Sequence, residues 1–199
     1  MNVLLLIDLQ NDFMPGGSLA VSGADKVIPI ANTMMKRAGL VVATQDWHPA
    51  NHGSFASQHA DCKVGDLVEL AGLPQIAWPD HCIENTIGAG FHPDLNFDDI
   101  HHIIHKGTDP KIDSYSGFFD NGRRAATGLH HYLQSQGAIH LHVMGVATDY
   151  CVKFTVLDAL SLGYQVTVNL DGCRGVELTP GDIDLAVQEM SKAGASVQT

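Results

Sequence analysis

The chain is predicted to be an α/β protein with a mostly parallel sheet, on three observations. Short runs rich in Val, Ile and Leu alternate with amphipathic stretches. Several runs, such as VLLLI, are almost continuously apolar, which suits strands covered on both faces. Chemically active residues follow several runs directly, where an open α/β sheet gathers its ligands.

The first strand is expected at Val3–Ile7. Gly23–Arg37 then sets Val27, Ile30, Ala31, Met34 and Met35 on one helical stripe, with Pro29 tolerable only in a first turn. Leu40–Thr44 is the second strand. The stretch 46–99 is rich in Pro, Gly, His and Asn and has no long periodic run. A loop of that length in a compact domain is expected to be a functional insertion, here a metal-bearing one. His101–His105 is the third strand. Arg123–Gln136 is a helix stopped by Gly137, and Ile139–Val146 the fourth strand. Cys151–Leu162 is a helix ended by Gly163, and Gln165–Asn169 the fifth strand. Thr179, Pro180 and Asp182 supply an N-cap, a first-turn proline and an acid three residues on, opening a helix to Lys192. Ala195–Gln198 reads as a last edge strand. There is no internal repeat, linker or low-complexity tract, so residues 1–199 are expected to form a single domain.

Composition narrows the function. The chain has 199 residues, enough for one sizeable core, and is 45% hydrophobic and 17% charged, unlike a disordered protein. A net charge of −11 argues against nucleic acid or an anionic membrane as partner. The opening MNVLLLIDLQND has no basic region and reads as a buried strand, not a signal peptide. No apolar run approaches the roughly 20 residues of a membrane span. A cytoplasmic protein is expected, with Cys62, Cys82, Cys151 and Cys173 as reduced thiols. No CxxC pair offers a zinc knuckle.

Asp8, Asp46 with His48, Lys106 and Cys151 all fall at carboxyl ends of predicted strands, so one sheet edge should gather them. Cys151 is the proposed nucleophile. A helix N-terminus and Lys106 would both favour its thiolate, and the free N–H groups of that turn could hold an oxyanion. Any one cysteine is more often a small buried hydrophobe; the neighbouring groups carry the functional reading. Asp8 is the proposed proton carrier, with Lys106 orienting it. Asp46 and His48, two apart on an extended segment, point the same way and suit a cation. His52, His59 and His81 are candidates to complete that shell, His81 first. Oxygen and nitrogen donors without thiolate suit zinc, iron(II) or manganese with open water positions.

The segments IDLQNDFMPGGSLAV, TQDWHPANHGSFAS, WPDHCIENTIGAGFHPDL, HKGTDPKIDSYSGFFDN and VMGVATDYCVKFTVLDAL resemble, in order, the nicotinamidase/pyrazinamidase branch of the isochorismatase-like cysteine hydrolases. The resemblance covers nearly the whole chain. It implies a three-layer α/β/α fold around a six-stranded, mostly parallel sheet. It implies hydrolysis of nicotinamide to nicotinate and ammonia in NAD salvage, with pyrazinamide as a second substrate. It places Asp8, Lys106 and Cys151 on the catalytic triad, and Asp46, His48 and His81 on the ligands of one divalent metal ion, zinc before iron or manganese. His52 matches a position that ligates the metal only in some members. Phe13, Trp78 and Tyr115 match the walls around the pyridine ring. Ala147 and Cys151 match the oxyanion-hole donors, with a cis peptide at Val146–Ala147. The ring nitrogen is implied to sit on the metal, beside Cys151. Tyr150 departs from relatives that carry His there. A homo-oligomer is compatible with this reading. Two competing readings are a relative acting on another small amide or a vinyl ether such as isochorismate, and a non-catalytic metal-binding protein; the paired ligands and WPDHC favour the amidase branch.

Overall fold

The computed structural model describes all 199 residues. Its sheet is organised around β1 (Asn2–Ile7), where Val3 to Ile7 alternate faces yet none is more than 2% exposed. Both faces are therefore covered, and each such side chain contributes roughly 1.5–3 kcal/mol relative to exposure. β2 (Val41–Asp46) is likewise buried throughout. β3 (Leu67–Leu70) and β4 (Leu73–Ile76) form a separate antiparallel hairpin. β5 (His102–Lys106), β6 (His140–Val146), β7 (Gln165–Arg174) and β8 (Ser196–Gln198) complete the main sheet, whose order is β5-β2-β1-β6-β7-β8. Every pairing in it is parallel. The chain runs outward from β1 to β2 and β5, then returns to the other side of β1 for β6. That reversal opens a crevice at the carboxyl ends of β1 and β6.

Helices α1 (Val27–Met35), α2 (Leu129–Ser135), α3 (Lys153–Ser161) and α4 (Asp182–Ala193) flank the sheet. Pro29 sits in the first turn of α1, where its missing N–H is harmless. No helix is long and apolar enough to cross a membrane.

Several expected boundaries move. β2 and β5 run to Asp46 and Lys106 themselves, so these residues end strands instead of following them. The helix expected over Arg123–Gln136 begins only at Leu129. Asp120 accepts the N–H groups of Gly122, Arg124 and Ala125, folding that stretch into a turn, and Arg123 has φ of 54°. The helix expected from Cys151 starts at Lys153, after a π-type turn over Thr148–Val152. Gly181, not Thr179, occupies the N-cap of α4, while Asp182 accepts the Thr179 N–H at 2.9 Å. The insertion 46–99 is not structureless, because it holds the β3–β4 hairpin.

Candidate active site

Asp8 leaves β1 with φ of 50°, a left-handed conformation unusual for a residue other than glycine. Such a conformation persists where partners over-determine it. Thr44 Oγ1 of β2 donates to Asp8 Oδ1 at 2.6 Å, and Lys106 Nζ of β5 lies 2.9 Å from Asp8 Oδ2. Opposite, β6 approaches β1 so closely that a Cβ on Gly145 would lie 2.1 Å from the Ile7 carbonyl oxygen.

Lys106 is the hub of the site. Its ammonium donates to Asp46 Oδ1 at 2.6 Å, to the Ser114 carbonyl at 3.0 Å and to Cys151 Sγ at 3.3 Å. Burial works against the charge, but Asp46, Asp8 and Cys151 outweigh it and hold the Lys106 pKa well above the ordinary lysine value. Lys106→Met should strand two buried carboxylates without their cation and destabilise the fold by about 3–5 kcal/mol. Urea unfolding measures this, and an unchanged midpoint would contradict it.

Burial pushes the Asp8 carboxyl up to about 6 against the pull of Lys106, with Asp46 adding to the rise. That is the range of an effective proton carrier near neutrality. Burial also raises the Cys151 thiol well above its ordinary value; Lys106 opposes this, while Asp8 and Asp46 reinforce it. Burial and the two nearby carboxylates thus favour the thiol form, against the pull of the Lys106 ammonium.

Asp46 joins this cluster to a second one. Its Oδ2 lies 3.8 Å from His48 Nε2 and 4.0 Å from His81 Nε2. His48 Nδ1 donates to the Gly107 carbonyl at 2.7 Å and His81 Nδ1 to the Pro79 carbonyl at 2.8 Å. A carbonyl can only accept, so both rings carry hydrogen on Nδ1 and turn a bare Nε2 toward Asp46. Burial lowers both imidazoles to about 4, which keeps them neutral and able to ligate. The three donor atoms lie within 4.8 Å of one another. This donor set, with ring tautomers held by backbone carbonyls, fits a divalent cation. Gly107 is required here, since a Cβ would meet the His48 ring at 2.3 Å.

The LQND segment after β1 braces the cage. Gln10 accepts the Asp46 N–H and donates to the Asp46 and Ala89 carbonyls, each at 2.8 Å. Asp12 accepts the Cys82 N–H at 2.7 Å, fixing the loop that carries His81. His59 does not join; its Nε2 donates to the Gly53 carbonyl at 2.7 Å. His52 lies behind His48, ring centroids 4.2 Å apart.

Between the two clusters is a narrow cleft. Phe13, Trp78 and Tyr115 wall it, and Asp46, His48, His81, Ala147 and Cys151 face into it. Asp8 and Lys106 lie beneath, 0% and 2% exposed. Trp78 Nε1 and Gln75 Nε2 both donate to the Tyr115 hydroxyl, at 3.1 and 2.9 Å, which locks that ring. The Val146–Ala147 peptide is cis, as the resemblance implies, and the Ala147 N–H has no acceptor within the protein. Sequence reasoning missed Thr44, Gln10 and Asp113. All three lie within the segments that carry the resemblance, but residue type and spacing alone give none of them a role. Tyr150 lines the rim, edge-on to Trp78 with centroids 4.9 Å apart.

A family model described as an isochorismatase domain matches residues 2–199. A nicotinamidase of Escherichia coli K12 is 54% identical, over 98% of this chain and 93% of its own length. A nicotinamidase/pyrazinamidase structure from Acinetobacter baumannii superposes with a TM-score of 0.95 at 43% identity, covering 98% of this chain and 94% of its own. A pyrazinamidase of Pyrococcus horikoshii, solved in complex with zinc, gives a TM-score of 0.80 at 38% identity over 100% and 98% of the two chains.

Proposed function

Since this chain belongs to the isochorismatase family, we propose that it is a metal-dependent nicotinamidase, converting nicotinamide to nicotinate and ammonia in NAD salvage, with pyrazinamide as a second substrate. Residues 1–199 act as one hydrolase domain in this reading, working in the cytoplasm. The observation that carries it is the junction at Asp46: one oxygen belongs to the Asp8–Lys106–Cys151 cluster and the other to the histidine cage. A flat ring in the aromatic cleft can therefore be anchored at one end and attacked at the other.

Asp46, His48 and His81 would hold the cation. We assign it as zinc, from the donor set and the zinc complex of the Pyrococcus pyrazinamidase. When bound, it supplies a Lewis acid that anchors the pyridine nitrogen. The protein's residues do the rest. Phe13, Trp78 and Tyr115 hold the ring so that the carboxamide carbon lies over Cys151 Sγ. Asp8 takes the thiol proton as sulfur bonds to that carbon. The Ala147 and Cys151 N–H groups receive the developing oxyanion. Asp8 returns the proton to nitrogen, the C–N bond breaks, ammonia leaves and a thioester remains. Asp8 then takes a proton from water as its oxygen attacks the thioester, and gives it back to sulfur as the C–S bond breaks; nicotinic acid leaves and loses its remaining proton to solvent or ammonia, giving nicotinate. Lys106 stays charged throughout and keeps Asp8 aimed at the sulfur.

Ammonia release by the purified protein tests this, with metal content measured on the same sample. Nicotinamide should be turned over at a rate above 1 s⁻¹ in order of magnitude, within the ordinary enzymatic range of roughly 1–10³ s⁻¹. Isochorismate should be left intact. No ammonia from a metal-replete sample would refute the assignment.

A further inference from the structure

We propose that Asp113 and His52 form an outer half of the metal centre, holding an oxygen ligand of the cation and supplying its second negative charge. The inference rests on the metal site proposed above. Its first support is the ring chemistry of His52. The backbone N–H of Ser54 donates to His52 Nδ1 at 3.3 Å, and the Ser54 hydroxyl lies 2.7 Å from the same atom. A backbone N–H can only donate, so Nδ1 accepts and the hydrogen sits on Nε2. His48 and His81 have the opposite tautomer. His52 therefore cannot ligate through Nε2 as they do; it is a donor. That donor is fully buried and has no partner in the protein, a deficit that buried polar groups rarely show.

The second support is charge. Asp113 is 3% exposed and accepts from the Ser114 N–H at 2.7 Å and Gln75 Nε2 at 3.0 Å, yet no cationic side chain pairs with it. Buried with it are Asp8 and Asp46, which share the single cation Lys106. Three carboxylates against one ammonium leave two negative charges, the complement of one divalent cation. Asp46 alone, already bonded to Lys106, would leave the cation poorly neutralised.

The third support is position. Donor atoms of His48, His52 and Asp113 lie within 4.8 Å of one another, and Asp113 faces the same cleft as Asp46 and His81. No direct bond joins His52 to Asp113, but the gap suits one bridging oxygen. A water on the cation can accept from His52 Nε2–H and donate to Asp113. Orienting groups of this kind commonly govern metal affinity.

Zinc titration without substrate, by competition with a chromogenic chelator, tests the proposal. Asp113→Asn keeps the size of the side chain and should bind zinc about 10- to 100-fold more weakly. His52→Gln keeps an N–H near the place of Nε2 and should stay within about tenfold of the parent. In ¹⁵N-histidine spectra of the zinc-loaded parent protein, His48 and His81 should show Nδ1–H with metal-shifted Nε2, and His52 should show Nε2–H. Parental affinity in Asp113→Asn, or a metal-shifted His52 Nε2 without hydrogen, would overturn the proposal; the spectra decide even if Asp113→Asn does not fold. Asp46→Asn is the control that separates the two readings: it removes zinc binding if the site itself is right, however Asp113→Asn behaves.

Discussion

Cys151→Ala is expected to abolish ammonia release, by roughly 10⁴-fold or more, while leaving the fold intact. In the proposed mechanism the Cys151 sulfur forms the acyl intermediate. It touches Lys106 at 3.3 Å and shares a buried cluster with Asp8. Alanine removes one atom from a residue that is 7% exposed, so the packing loss is small beside the chemical one. The cleft and cage remain, and the variant should still bind nicotinamide and zinc. Stopped assays for ammonia, with calorimetric binding of nicotinamide to the same sample, separate these effects. Parental turnover in the alanine variant would refute the nucleophile, whereas loss of turnover together with loss of folding would leave Cys151→Ser as the deciding variant.

Chelation followed by dialysis should lower turnover by more than about 100-fold, and stoichiometric zinc should restore it. The cause is positional: in the proposed mechanism the cation held by Asp46, His48 and His81 anchors the ring nitrogen, and without it only the aromatic walls Phe13, Trp78 and Tyr115 orient the substrate. The same treatment should lower stability, since removing a ligand held at about 1,000 times its Kd withdraws about 4 kcal/mol. Thermal melts before and after chelation give this second readout. Unchanged activity after verified metal removal would eliminate the anchoring role.

Much of this site is legible along the chain because each reacting group ends or follows an apolar run. Asp8, Asp46, Lys106 and Cys151 are far apart in number, yet parallel strands bring their carboxyl ends to one edge. Element boundaries are less legible where side chains compete for backbone groups. Asp120 draws Gly122 to Ala125 into a turn, so an apparent helix starts several residues late. The hairpin at Leu67–Ile76 is too short for its period to stand out in a Gly- and Pro-rich stretch.

The residue pattern alone determined the fold class, the edge of the sheet where chemistry occurs, and the types of group available there. Strand periodicity and residue identity are local properties, and they suffice for that. Only the tertiary structure decided that His81 enters the cage and His59 does not, that burial favours the thiol form of Cys151, which ring nitrogens are free to ligate, and that Asp113 faces the cleft without a cation. These outcomes depend on burial and on distances between segments remote in the chain, which spacing along the sequence does not encode.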